Sequence, residues 1–178
     1  MNETNEDKLL KQIAVAITEN PRRTTKELAE AVGISKATLH RFCGTRENLE
    51  VMLVNKSEQI LPQIISIAEN EYDDYIFGLR ELINIHFENR EYLFFSCSMQ
   101  TCTIENSYWN SYMKALDNFF LKGQKAGDFK IEISNSILTE IFVSTFGSLF
   151  YAELRGRVAS NGITEICEKM FLFGASTK

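Results

Sequence analysis

Six basic side chains crowd residues 21–46: Arg22, Arg23, Lys26, Lys36, Arg41 and Arg46, against two acidic ones, Glu27 and Glu30. The window carries +4 in a chain whose formal net charge is −5. Guanidinium and ammonium groups pair with phosphate oxygens or with the acceptor edge of guanine. Thr24, Thr25, Ser35, Thr38 and Thr45 add short donors and acceptors, and Ala37 leaves room for close approach. These residue types at this density suit contact with nucleic acid.

The rest of the chain offers little reactive chemistry. It has no nucleophile elbow, phosphate loop, dinucleotide fingerprint or metal motif, so no enzymatic activity is expected. Cys43, Cys97, Cys102 and Cys167 form no CxxC, and the two histidines, His40 and His86, stand far apart, which gives no zinc-like spacing. Neither a metal nor a cofactor is expected, and buried inert thiols are the simplest reading of the cysteines. A Cys97–His86 pair on facing helices lacks a third orienting group. The acidic run Glu69, Glu71, Asp73 and Asp74 reads as a solvated turn.

The elements that must position the basic window are helices. Leu9, Leu10, Ile13, Ala14 and Ile17 recur on one face of a helix over Asn5–Glu19, which Pro21 ends. Thr24 and Glu27 form a capping box for a short helix reaching about Val32. Ser35 caps the next helix, which runs to Cys43, and Thr45 caps a fourth, which Pro62 bends or ends. Between the second and third helices Gly33 sits at a turn that calls for positive φ. Leu28, Val32, Ile34, Leu39 and Phe42 can share one small core, with Ala29 small where the helices cross. This is a helix-turn-helix pattern, whose second helix enters the major groove. Lys36, Ala37, Thr38, His40 and Arg41 then face the groove. The helix starts at Thr24–Thr25 and Thr45–Arg46 offer free N–H groups to phosphate.

With 2 prolines and 9 glycines in 178 residues, turn punctuation is too sparse for an all-β sandwich or barrel. Further helices are expected over about 73–89, 91–99, 106–125, 134–157 and 163–173. Twelve of the thirteen phenylalanines lie at or beyond Phe77, and residues 57–178 carry −6. The fold class is therefore all-α, with a three-helix helix-turn-helix domain over residues 1–48 and a helical domain over 49–178. The first 20 residues do not read as a signal peptide, and no uncharged apolar run approaches the ~20 residues that span a bilayer. A cytoplasmic location without membrane association is expected.

Residues 24–49, TTKELAEAVGISKATLHRFCGTRENL, resemble the DNA-binding domain of the TetR family of transcriptional regulators. They share its Thr pair, apolar-Ala step, Gly-apolar-Ser turn, Thr-Leu pair and small-basic-Glu-x-x-Leu ending. The family usually has Tyr at His40, His then Phe at Phe42 and Cys43, and Lys at Arg46. The resemblance implies a ligand-responsive repressor that binds a pseudo-palindromic operator in double-stranded DNA as a homodimer and is released by a small-molecule effector. DNA contacts would come from Thr24, Thr25, Ser35, Lys36, Ala37, Thr38, His40, Arg41, Thr45 and Arg46. The resemblance places the dimer interface on the last two helices, at Phe146, Gly147, Phe150, Tyr151, Ile166, Met170 and Phe173. It places an effector pocket among the middle helices, at His86, Phe94, Phe95, Met99, Trp109, Tyr112, Met113, Leu116 and Phe120. Such a lining suits an apolar or aromatic effector. A competing reading is a helix-turn-helix protein-interaction module without DNA binding.

Overall fold

The computed structural model describes residues 4–98 and 107–175, so Met99 and Cys102 lie outside the described residues. Its elements are α1 (Asn5–Glu19), α2 (Thr25–Ala31), α3 (Lys36–Cys43), α4 (Arg46–Glu69), α5 (Tyr75–Glu88), α6 (Arg90–Ser98), α7 (Ser107–Ala126), α8 (Asn135–Leu154) and α9 (Ile163–Ala175). The all-α expectation holds. Of the two outcomes expected at Pro62, a bend or an end, the end is excluded, because α4 continues through it to Glu69. Proline lacks the N–H that would bond to the Glu58 carbonyl one turn back. Pro62 and Glu58 are both exposed, so water can satisfy that carbonyl.

The chain divides into two compact units. The first comprises Met1–Gln59 and Glu91–Cys102. Its core is the apolar stripe of α1 (Leu10, Ile13, Ala14, Ile17) with Leu28 and Ala29 of α2, Leu39 and Cys43 of α3, and Leu49 and Leu53 of α4. Each fully buried aliphatic side chain contributes about 1.5–3 kcal/mol. Val32, Ile34 and Phe42 are only half-buried, and Cys43 fills the place given to Phe42. Cys43 follows Leu39 by four residues and so lies under it on the same helical face. Part of α6 joins this unit through Tyr92, which is buried. The Tyr92 hydroxyl donates to Asp7 Oδ1 at 3.1 Å, and Ser57 Oγ donates to the Tyr92 carbonyl at 3.0 Å.

The second unit comprises Ile60–Arg90 and Thr103–Lys178. Here α7 packs on α8, and α5 packs on α7 and α9. Phe119, Phe120, Phe129 and Phe142 are fully buried among them. Buried Asp128 accepts a hydrogen bond from Tyr75 N at 2.9 Å and so caps α5. The acidic turn is partly structural: Asp74 Oδ1 accepts from Ile76 N at 2.9 Å, and Glu71 pairs with Lys122 at 2.6 Å. Among the described helices, α8 alone is long and apolar enough to cross a membrane by length and composition. Glu140 lies in its second turn, and α8 is packed on α7 and α9 as a bundle helix.

Candidate nucleic-acid interface

The local chemistry of residues 24–46 fixes where α3 points. Thr24 Oγ1 accepts from Glu27 N at 3.3 Å, and Glu27 Oε2 accepts from Thr24 N at 2.7 Å, closing the capping box. Gly33 follows α2 at φ +74, where an L side chain is strained. Ser35 Oγ accepts from Thr38 N at 3.0 Å and starts α3. Gly44, at φ +73, ends it, with its N–H bonded to the His40 carbonyl at 2.8 Å. Thr45 Oγ1 then accepts from Asn48 N at 3.2 Å and starts α4. Leu39 and Cys43 anchor α3 inward, while Lys36, Ala37, His40 and Arg41 are exposed.

The named contact residues separate into two groups. Lys36, His40 and Arg41 have no side-chain partner among the described residues and are free to meet a ligand. Arg46 is held within the protein. Its Nε bonds to Glu50 Oε1 at 2.7 Å, and its Nη1 and Nη2 donate to the carbonyls of Arg23 and Pro21 at 3.0 and 3.3 Å. Arg23 is held as well, donating to the Ala16 carbonyl at 2.6 Å and to Glu19 at 3.0 Å. Both arginines therefore brace the α1–α2 connection, a role the sequence reading missed. Thr24 differs too, because its hydroxyl donates to Glu27 Oε2 at 2.8 Å. The Glu27 carboxylate, its pKa lowered first by the Thr24 backbone N–H, already faces the start of α2. Thr38 shares a hydrogen bond with Ser35 Oγ at 2.9 Å, while Thr25 is half-buried and Thr45 is exposed. What remains outward is a short, N-capped helix bearing two free cations, an imidazole and a methyl. That set can meet phosphates and base edges.

In the second unit, α8 and α9 leave an apolar stripe uncovered. Ile137, Ile141 and Tyr151 on α8 are exposed at helical spacing, with Ser144 and Ser148 between them. On α9, Ile166 is 58% exposed, Met170 72% and Phe173 86%. Phe150 departs from the sequence expectation. It is 5% exposed and lies under the Arg90 guanidinium, 5.7 Å from its ring centroid, with Arg90 paired to Glu153 at 3.1 Å. Phe146 also turns inward and stacks on His86 at 5.3 Å. Gly147 is half-buried, with open space where a Cβ would stand.

The residues expected to line a pocket are divided between the two units. Phe94 and Phe95 belong to the first unit, where Phe95 is fully buried. His86, Trp109, Tyr112, Met113, Leu116 and Phe120 belong to the second, and Leu116 and Phe120 are fully buried in its core. His86 Nδ1 lies 2.7 Å from the Leu82 carbonyl, which can only accept, so Nδ1 carries the proton. Nε2 therefore accepts from the Tyr112 hydroxyl at 2.8 Å. Burial pulls the His86 pKa down to about 4, which keeps the ring neutral. A separate open groove of about 440 Å³ is lined by Pro62, Ile65 and Glu69 from α4 and by Tyr108 and Ser111 from α7. Buried Cys43 and Cys167 have thiol pKa values raised by burial, which disfavours the reactive thiolate, whereas Cys97 is exposed rather than buried.

Comparison with known proteins agrees with this geometry. A family profile described as winged helix-turn-helix DNA-binding matches residues 6–44. Only Gly44 and Thr45 separate α3 from α4, so no wing follows α3 here. The chain is 44% identical over 178 residues to the HTH-type transcriptional regulator NfxB of Pseudomonas aeruginosa, covering 97% of this chain and 95% of that one. The TetR family regulator PfmR of Thermus thermophilus superposes with TM-score 0.60 at 19% identity, covering 93% of this chain and 95% of that one. SmeT, the repressor of the Stenotrophomonas maltophilia multidrug efflux pump SmeDEF, superposes with TM-score 0.55 at 12% identity, covering 99% and 92%; it is also solved in complex with triclosan. Close identity to NfxB over nearly the whole length, together with a helix-turn-helix whose basic face is unpartnered among the described residues, leads to one conclusion: the chain belongs to the HTH-type transcriptional regulators, and its fold is that of solved TetR family regulators.

Proposed function

We propose that this regulator binds a pseudo-palindromic operator as a homodimer through α3, represses transcription and is released by a small-molecule effector. In this reading residues 1–48 are the DNA-binding domain and residues 49–178 the effector and dimerisation domain. The observation that carries DNA binding is the exposed face of α3. Lys36, His40 and Arg41 are unpaired there, while Arg23 and Arg46 nearby are held by the protein. The reading as a protein-interaction module finds no support among the relatives.

Dimerisation is supported by the uncovered stripe of α8 and α9, since apolar surface of that extent on a folded domain marks an interaction site. Two copies would set their recognition helices about one helical turn of DNA apart. An effector is supported by the triclosan complex of the structural neighbour SmeT, and the aromatic cluster around His86 and Tyr112 would suit an apolar or aromatic molecule. Its release mechanism is linkage: an effector that favours wrongly spaced recognition helices weakens DNA binding by the factor DNA weakens its own. Such a regulator works in the cytoplasm, with the DNA.

Fluorescence anisotropy on duplex DNA from upstream of the protein's own gene tests the core of this reading, across a salt series. Log affinity should fall with log salt by about 0.9 per neutralised phosphate. Lys36→Glu should abolish tight binding. A flat salt response together with binding that ignores Lys36→Glu would overturn it.

A further inference from the structure

The α3 helix does not present its outward residues equally. Successive side chains are turned by about 100°, so Ala37 and Arg41 each lie about 160° around the helix from buried Leu39. They form the outermost line of α3, one turn apart. Lys36 and His40 are exposed but lie closer to the buried side, on one flank. Thr38 is half-buried on the other flank, with its hydroxyl tied to Ser35.

Arg41 is also the arginine near this face that the fold leaves unengaged on α3 itself. Arg23 and Arg46 spend their guanidinium groups on the carbonyls of Ala16, Arg23 and Pro21 and on the carboxylates of Glu19 and Glu50. No described group binds Arg41, and the bare methyl of Ala37 lies beside it rather than a competing donor. A free planar fork at the point of deepest approach is suited to the O6/N7 edge of guanine, and an exposed methyl to the C5-methyl of thymine. Flanking cations and hydroxyls meet the backbones on either side of the groove.

We propose that Arg41 is the specificity-determining residue of this regulator: it reads a guanine in each operator half-site, Ala37 seats against a thymine methyl, and Lys36 and His40 hold phosphates. Four residues along α3 advance about 6 Å, so the guanine and thymine lie about two base steps apart. The inference rests on the operator-binding reading above.

Selection of binding sites from a random duplex library, run with the full chain and with Arg41→Ala and Lys36→Gln, tests it. The unsubstituted protein should select half-sites with an invariant guanine, favoured about ten- to hundred-fold over other bases. Arg41→Ala should lose preference at that position and keep the rest of the motif. Lys36→Gln should keep the whole motif and lower the salt slope by about one. If Arg41→Ala keeps the guanine and weakens all sequences alike, Arg41 is a phosphate contact and the inference fails while operator binding stands. If no motif emerges from the unsubstituted protein, both fail.

Discussion

Acidification should destabilise the second unit through His86. Folded, the ring is buried, donates to the Leu82 carbonyl and accepts from Tyr112, and its pKa is pulled to about 4. Unfolded, it returns to its ordinary value near 6.5. A group whose folded pKa is depressed in this way gives no pH dependence above its unfolded pKa. Below that, the unfolded chain takes up a proton that the native ring refuses, and stability falls until the pH passes the folded value. The full loss is about 3 kcal/mol, of which about 2 kcal/mol is gone by pH 5. The window from pH 7.5 to 5 isolates this effect. Asp7, Glu27 and Glu71 have pKa values lowered from ordinary values of 3.8 to 4.5, so their losses come at lower pH. Urea denaturation at fixed protein concentration, at pH 7.5 and 5.0, should show the drop in the unsubstituted chain. His86→Gln, neutral at both pH values, should be less stable throughout but lose little between them. An equal pH dependence in both proteins would refute the buried, neutral His86.

Arg46→Gln should lower stability by about 1–2 kcal/mol by orphaning its ties to Glu50 and two carbonyls, while leaving the salt slope of DNA binding unchanged; a slope smaller by about one would make Arg46 a phosphate contact instead. Gly33→Ala should cost about 1–2 kcal/mol in a thermal melt, because φ +74 strains any Cβ while no atom stands within 4 Å to clash with it. Met170→Glu should convert a dimer to monomer in light scattering and weaken operator binding, since Met170 is 72% exposed and touches little of its own chain.

Much of the first unit is legible in the sequence, because its signals are local. A capping box, a positive-φ glycine and serine or threonine caps act within four residues, so Thr24, Gly33, Ser35 and Thr45 announce α2, α3 and α4 in the sequence itself. The outward face of α3 follows from the helical period once Leu39 is taken as buried. Pro62 leaves two outcomes open, a bend or an end, since a proline inside a helix is tolerated where the freed carbonyl reaches water, and exposure is not a local property.

Tertiary structure decided what depends on groups distant in the chain. Arg41 and Arg46 look alike in sequence, yet one is free and the other is tied to carbonyls 23 and 25 residues away. Phe150 and Tyr151 are neighbours on α8, but Arg90, brought in by α5 and α6, covers the first and leaves the second exposed. Within the first unit, Tyr92 of α6 reaches Asp7 across 85 residues. In each case the side chain's chemistry was readable but its partner was not, because a partner is chosen by packing, and packing is set by the whole chain at once.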